Sequence, residues 1–184
     1  MTGVQTCALP IYDLKVYDDP VKMRDDLREL NTINNKSRMI AGYCYEWKTQ
    51  KNSDIDAYDI ELENEFKAKW NFNSTNTWAI DQDSFEQIGC IHTAQGLEFD
   101  YVGIIIGKDM VYRDGKIITD YTQRAKSDAS LKGVKTNKNY ELADRIIRNT
   151  YKTLMSRGQK GCFVYCEDKA LAEELEKSII KIRK

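Results

Sequence analysis

The 184-residue sequence contains one histidine, two prolines and no Cys-x-x-Cys pair. A single imidazole excludes any mechanism that needs two histidines. Five cysteines without paired spacing argue against a disulfide framework or a cysteine-rich zinc site, and fit a reducing cytoplasm. No metal site is expected. No apolar run approaches the ~18–20 residues a membrane-spanning helix requires, so no membrane partner is expected either. The Gly-x-x-x-x-Gly-Lys-(Ser/Thr) loop that cradles nucleotide phosphates is also missing. The run Gly103-Ile-Ile-Ile-Gly107-Lys108-Asp109 comes near it, but it is one residue short between the glycines and has Asp where a magnesium-binding hydroxyl should stand. A buried strand and its exit describe it better. There are no internal repeats. With 41% hydrophobic and 31% charged residues, the composition is that of an ordinary globular domain.

Charge is unevenly spread. Residues 1–106 carry 10 Lys/Arg against 18 Asp/Glu, whereas residues 107–184 carry 18 against 11. The basic excess falls within residues 107–160. A basic stretch beside an acidic half hints at a polyanion site, although such stretches are most often solvated surface. Residues 1–11, MTGVQTCALPI, resemble the translation of a short-read sequencing adapter rather than a signal peptide, which would need a basic start and a longer apolar core. Fold reasoning therefore begins at Tyr12. The expectation is that the natural protein extends upstream and that residues 12–184 are a C-terminal piece.

Asp18-Asp19-Pro20 opens a helix, with Asp as N-cap and Pro in the first turn. Val21, Met23, Leu27 and Leu30 give it an apolar stripe to about Asn31. Residues 37–43 (SRMIAGY) read as a buried strand and residues 44–57 as a polar loop. Residues 58–70, with Ile60, Leu62, Phe66 and Trp70, read as a short helix or irregular segment. A strand is expected over 85–91 and another, apolar on both faces, over 101–106. Asp114-Gly115 between residues 110–113 and 116–119 is a type I′ hairpin signal. Residues 122–139, polar and basic, predict a mobile loop. Residues 141–156 form an amphipathic helix that Gly158 can stop in the left-handed conformation. A strand over 161–166 and a helix over 168–184 complete the chain. Strands alternating with helices predict an α/β fold with a mainly parallel sheet and helices on both faces. In such sheets ligands bind beyond the carboxyl ends of the strands.

Two segments concentrate chemistry. In Cys90-Ile-His-Thr-Ala-Gln-Gly-Leu-Glu-Phe-Asp100, a strand delivers His92, Thr93 and Gln95. Gly96 then lets the backbone turn or approach a ligand, and Glu98 and Asp100 follow. A plain strand connection with capping side chains is the simpler alternative. In Tyr151-Lys-Thr-Leu-Met-Ser-Arg157-Gly, the arginine at a helix carboxyl end is stabilised there by the helix dipole, or is aimed at a phosphate. Tyr43, Tyr45 and Trp47 alternate and could stack on bases, but core packing explains them as well. Cys162, Val164 and Cys166 share one strand face.

HTAQGLEFDYVGIIIG resembles motif V of superfamily 1 helicases, and IIRNTYKTLMSRGQKGCFVYCED resembles motif VI, a helix ending in Thr/Ser-Arg-Ala/Gly before a strand. Together with SRMIAGYCYEW and TDYTQRAKSD, these make residues 12–184 similar to the C-terminal half of the Schlafen-group DNA/RNA helicase domain, a P-loop NTPase family found in bacteria. The resemblance implies a three-layer, RecA-like α/β domain carrying a β-hairpin insertion. It implies Arg157 as an arginine finger on the γ-phosphate, with Gly96, Glu98 and Gln95 at the nucleotide. It places His92 and Thr93 on the nucleic-acid backbone. Arg148 and Lys152 are further candidates for phosphate, or plain helix surface. The cofactors implied are ATP and Mg2+, held mainly by an upstream RecA-like half with Walker A and B motifs, neither of which occurs here. The partner implied is DNA or RNA, single-stranded. Unwinding is one reading of these motifs; an NTP-dependent nucleic-acid switch or defence component without unwinding is the other.

Overall fold

The computed structural model describes residues 12–51, 57–72, 77–134 and 136–183. The adapter-like residues 1–11 lie outside them. The core is a four-stranded sheet built from β1 (Asp13–Tyr17), β2 (Ser37–Ala41), β6 (Phe99–Ile106) and β9 (Gly158–Cys166), in the order β1-β9-β6-β2. Every pairing in it is parallel. Successive side chains on a strand point to opposite faces. Met39, Ala41, Ile105 and Phe163 therefore share one core with Met23 and Leu27 of helix α1 (Pro20–Asn34). Ile40, Ile104, Val164 and Cys162 share the other with Ile147, Tyr151 and Leu154 of α3 (Tyr140–Met155) and Leu171 of α4 (Lys169–Ile182). The result is the three-layer α/β architecture expected of a RecA-like domain. Gly103 belongs to its packing: a Cβ there would lie 2.3 Å from a methyl of Leu27, so α1 seats directly on the strand.

The N-terminal signal of α1 is realised: Asp19 accepts the Val21 amide at 2.8 Å and Pro20 occupies the first turn. The hairpin of β7 (Met110–Arg113) and β8 (Lys116–Thr119) has Asp114 at φ 49° and Gly115 at φ 75°, the pair of positive angles a type I′ turn demands. The face shared by Cys162, Val164 and Cys166 is also as expected.

Five expectations are revised. The stretch 44–57, expected as a loop, holds one helical turn, α2 (Lys48–Lys51), and residues 52–56 of it lie outside the described residues. Residues 58–70 contain no helix but two short strands around an irregular turn: β3 (Ile60–Glu61) and β4 (Lys67–Trp70) pair antiparallel, and β4 continues in parallel with β5 (Gln87–Ile88). Ile60, Phe66, Ala68 and Trp70 point inward to the α1-side core, so apolar spacing that looked helical serves a two-sided ribbon. The strand expected over 85–91 shrinks to β5 plus a bridge from Gly89 to Ile40, because residues 82–86 form a 3₁₀ turn. The segment 122–139 is not a loose loop. Buried Arg124, Leu131 and Val134 pin it to the body, and two short 3₁₀ turns shape it. Finally, Gly158 does not stop α3 in a left-handed turn. It is the first residue of β9, where a Cβ would lie 2.1 Å from the Gly161 carbonyl oxygen. Strand β1 was not anticipated: Asp13-Leu14-Lys15-Val16 alternates polar and apolar, but over too few residues to specify a strand until it pairs with β9.

Burial pushes the Cys162 and Cys166 thiols up to about 12, and the Tyr151 phenol also rises well above its ordinary value. Each of these groups is neutral when protonated. The unfolded chain therefore releases protons first as pH rises, and stability present below about pH 9 drains away towards pH 12. Thermal melts should show a falling transition temperature across that window; a flat profile from pH 9 to 11 would contradict the assignment.

Candidate functional site

The connection from β5 to β6 crosses the α3 side of the sheet as a series of tight turns. Thr93 organises its start: its Oγ1 accepts the Cys90 amide at 2.7 Å and donates to the Cys90 carbonyl at 2.9 Å. Bonds from Gln95 N to His92 O and from Leu97 N to Ala94 O continue the turns, and Ala94 is buried under them. Gly96 sits at φ 74°, where a side chain would be strained, yet no atom lies within 4 Å of its Cβ position, so its backbone is open to approach.

Helix α3 arrives from the other side. Asn139 caps its start by accepting the Leu142 amide. Its last turn closes through Arg157 N to Leu154 O, and the Arg157 carbonyl then accepts the Phe99 amide at 2.9 Å, joining the helix end to the start of β6. The Arg157 side chain spends Nε on the Thr153 carbonyl at 3.2 Å, which is the helix-capping role the dipole favours. Nη1 reaches Leu97 O at 3.5 Å and Nη2 the Ser156 hydroxyl at 3.2 Å. A guanidinium carries more N–H donors than these three acceptors take up. Arg157 forms no ion pair with any described carboxylate.

Between the connection and the helix end lies a cavity of about 330 Å³, walled by Ile91, His92, Ala94, Gln95, Gly96, Thr153, Leu154 and Arg157. Sites for small molecules span ~300–1,000 Å³, and this one lies at the lower end of that range. Of the sequence candidates, His92, Gln95, Gly96 and Arg157 share it. Thr93 and Glu98 do not line it: the Thr93 hydroxyl is committed to Cys90, and Glu98 is exposed between the two residues whose backbones bond to Arg157. Arg148 chelates Asp144 at 2.8 and 2.9 Å and donates to Ile117 O, which makes it a brace to the hairpin, while Lys152 stays on the exposed helix surface. Thr153 was not legible as a site residue, because it contributes a backbone carbonyl and wall area, and neither leaves a trace in residue type.

The cavity is not at the carboxyl edge of the sheet, where ligands of parallel sheets usually bind. Its Arg157 end sits at the amino ends of β6 and β9, because the two functional segments precede those strands. The carboxyl edge is filled by the protein itself. Asp109, just past β6, accepts the Tyr151 hydroxyl at 2.5 Å and pairs with Arg124 at 3.1 Å. Arg124 also holds Asp128 at 2.8 Å, and all three charged side chains are at most 1% exposed. Burial alone would lower the Arg124 guanidinium, but Asp128 and Asp109 outweigh it and hold it above its ordinary value. Gly42 and Gly107 close around the network: a Cβ on Gly42 would lie 2.6 Å from the Tyr151 hydroxyl, and one on Gly107 would lie 2.5 Å from the Cys44 sulfur. The aromatic run is packed as the simpler reading expects. Tyr43 meets Trp70 and His92 edge-on at 4.8 and 5.8 Å, Trp47 meets Trp70, and the Tyr45 hydroxyl donates to Glu167 at 2.8 Å.

The arrangement is a three-layer parallel α/β domain in which an arginine at a helix end faces a glycine turn across a cavity. Residues 4–168 match the family model described as Schlafen group 3, DNA/RNA helicase domain, and the chain belongs to that family. It is also 26% identical over 171 residues to an uncharacterized protein of Saccharomyces cerevisiae, a match that covers 89% of this chain and 36% of the yeast protein. The chain thus spans little more than a third of the length of that relative. No solved structure matches. Among the described residues no helix is long and apolar enough to cross a membrane. The four described cysteines are unpaired, and no cluster of metal-ligating side chains is found among the described residues.

Proposed function

We propose that this chain is the second RecA-like half of an ATP-dependent DNA/RNA helicase or translocase, supplying an arginine finger and nucleic-acid contacts to a composite site. The observation that carries the reading is the cavity shared by Arg157 with His92, Gln95 and Gly96, in which the guanidinium has spare donors and no described carboxylate partner. A cation kept without a counter-charge in a concave site suits a phosphate oxyanion. ATP fits here by its phosphate end: Arg157 would meet the terminal phosphoryl, and the open backbone at Gly96 would let it approach closely. Mg2+ and the phosphate cradle would come from a preceding half, since this chain has no Walker A loop. Bound ATP would supply the phosphoryl group whose developing charge Arg157 stabilises. His92, exposed beside Tyr43, would touch a single strand, and Gln95, which shares the cavity with His92 and Arg157, would link strand to nucleotide.

The test is strand-stimulated ATP hydrolysis by a longer protein containing both halves, with strand displacement measured in parallel. Stimulated hydrolysis with displacement supports a helicase. Hydrolysis without displacement supports the switch or defence reading, which the same residues would serve. This chain alone is expected to hydrolyse no ATP, and turnover above a blank would count against the composite site. Lys126, Lys132 and Lys138 are exposed on the pinned basic segment, and Lys135, the fourth lysine there, lies outside the described residues. If they track phosphates, changing the three to Gln should flatten the dependence of log affinity on log salt by about 2, at ~0.7 per phosphate on a single strand. An unchanged slope would assign them to solubility.

A further inference from the structure

We propose that the outer face of the small β3-β4-β5 sheet is a second, separate contact surface for single-stranded nucleic acid, in which Tyr58 and Phe72 stack on bases and Lys67 and Lys69 meet phosphates. This rests on the reading that the protein handles nucleic acid, but it uses none of the Arg157 cavity. On β4 the pleat sends Ala68 and Trp70 into the core and leaves Lys67 and Lys69 outside; Gln87 of β5 lies opposite Lys69. An open cleft of about 570 Å³ runs over this face, with Tyr58, Phe72 and Arg24 among its walls. Tyr58 is 40% exposed, and the ammonium of Lys67 rests 6.0 Å from its ring, as that of Lys69 rests 4.4 Å from the ring of Phe72. Tyr58, exposed just before β3, and Phe72, half-buried just after β4, each lie beside a lysine, and rings so placed are the components of a stacking platform on which a base takes the ring face while Lys67 reaches the phosphate.

The cleft also carries Glu65, Asp83 and Glu86. Glu86 is neutralised by a two-oxygen contact from Arg28 at 3.0 and 3.2 Å. With Glu65 and Asp83 left to offset the cations, the surface has little net field. Binding there should accordingly depend on stacking more than on salt, and an unstacked single strand is favoured over a duplex, whose base faces are hidden.

The experiment measures binding of the chain to fluorescent oligothymidylate and oligouridylate of about 15 nucleotides. The variant Tyr58→Leu/Phe72→Leu keeps apolar bulk but removes both rings. It should weaken binding by about tenfold or more while the melting temperature holds. Substituting Lys67 and Lys69 with Gln should reduce the salt slope by about 1.4. Photo-crosslinking with 5-iodouridine should label the peptide containing residues 57–72. If the double variant melts early, Tyr58→Leu alone, at an exposed ring, carries the test. Unchanged affinity in the ring variants, with cross-links elsewhere, would overturn this surface and leave the Arg157 site intact. Absence of binding by the unaltered chain would also overturn it, while the ATPase of the longer protein judges the proposed function separately.

Discussion

Replacing Arg157 by Ala in a protein that carries both halves is expected to cut strand-stimulated ATP turnover by about a thousandfold or more, the scale on which arginine fingers act. The argument has two sides. The guanidinium makes one bond suited to capping, from Nε to Thr153 O, and that role contributes only ~0.3–1 kcal/mol to stability. The isolated domain should therefore fold almost unchanged. The remaining donors face a cavity without a described counter-charge, where on the proposed reading they would stabilise charge that appears only as the phosphoryl group transfers. The loss should thus fall on kcat with nucleotide affinity little altered. Arg157→Lys keeps the charge but loses the planar fork, and should recover only part of the rate. Equal turnover in Arg157→Ala and the unaltered protein would remove the finger role and leave helix capping as the whole explanation.

The second large effect is on stability. Arg124→Met should destabilise the domain by about 3–5 kcal/mol, the cost of leaving buried charge without a partner. Asp109 and Asp128, both almost wholly buried, would face each other with no cation between them. For a domain of this size that amounts to a melting temperature lower by roughly 10 °C, read by calorimetry or circular dichroism. Asp109→Asn should cost less, because the amide oxygen can still accept from Tyr151 and Arg124 keeps Asp128. A melting temperature unchanged in Arg124→Met would show that the triad is solvated in solution and does not hold the 122–139 segment. The network matters to the site because Tyr151 lies on α3 two turns before Arg157, and Asp109 fixes that helix against the end of β6.

Much of the fold was legible because short-range physics determines it. The Asp19-Pro20 start, the Asp114-Gly115 turn and the apolar run of β6 are each specified by local stereochemistry or by burial on both faces. The elements that were misread or passed over depend on partners far along the chain. β1 is a strand only because β9 pairs with it, and β4 only because β3 and β5 flank it. Arg124 is buried only because two aspartates, one of them fifteen residues away, meet it. Residues 122–139 have the composition of a loose loop, and nothing local reveals that one arginine among them is an internal tether.

The candidate site divides in the same way. The residue types His92, Gln95, Gly96 and Arg157 are read directly from two short segments, because cation, imidazole and permissive glycine each carry their chemistry in the side chain or its absence. Their meeting around one cavity, the retreat of Thr93 into a local turn and the exposure of Glu98 are decided by the hydrogen bond from Phe99 to Arg157 and the crossing of the connection over the sheet. Sequence determined which groups are available; tertiary structure decided which face a common space. A side chain's chemistry is set by its own atoms, whereas its neighbours are set by strand order, and parallel strand order is a property of pairings between segments some sixty residues apart.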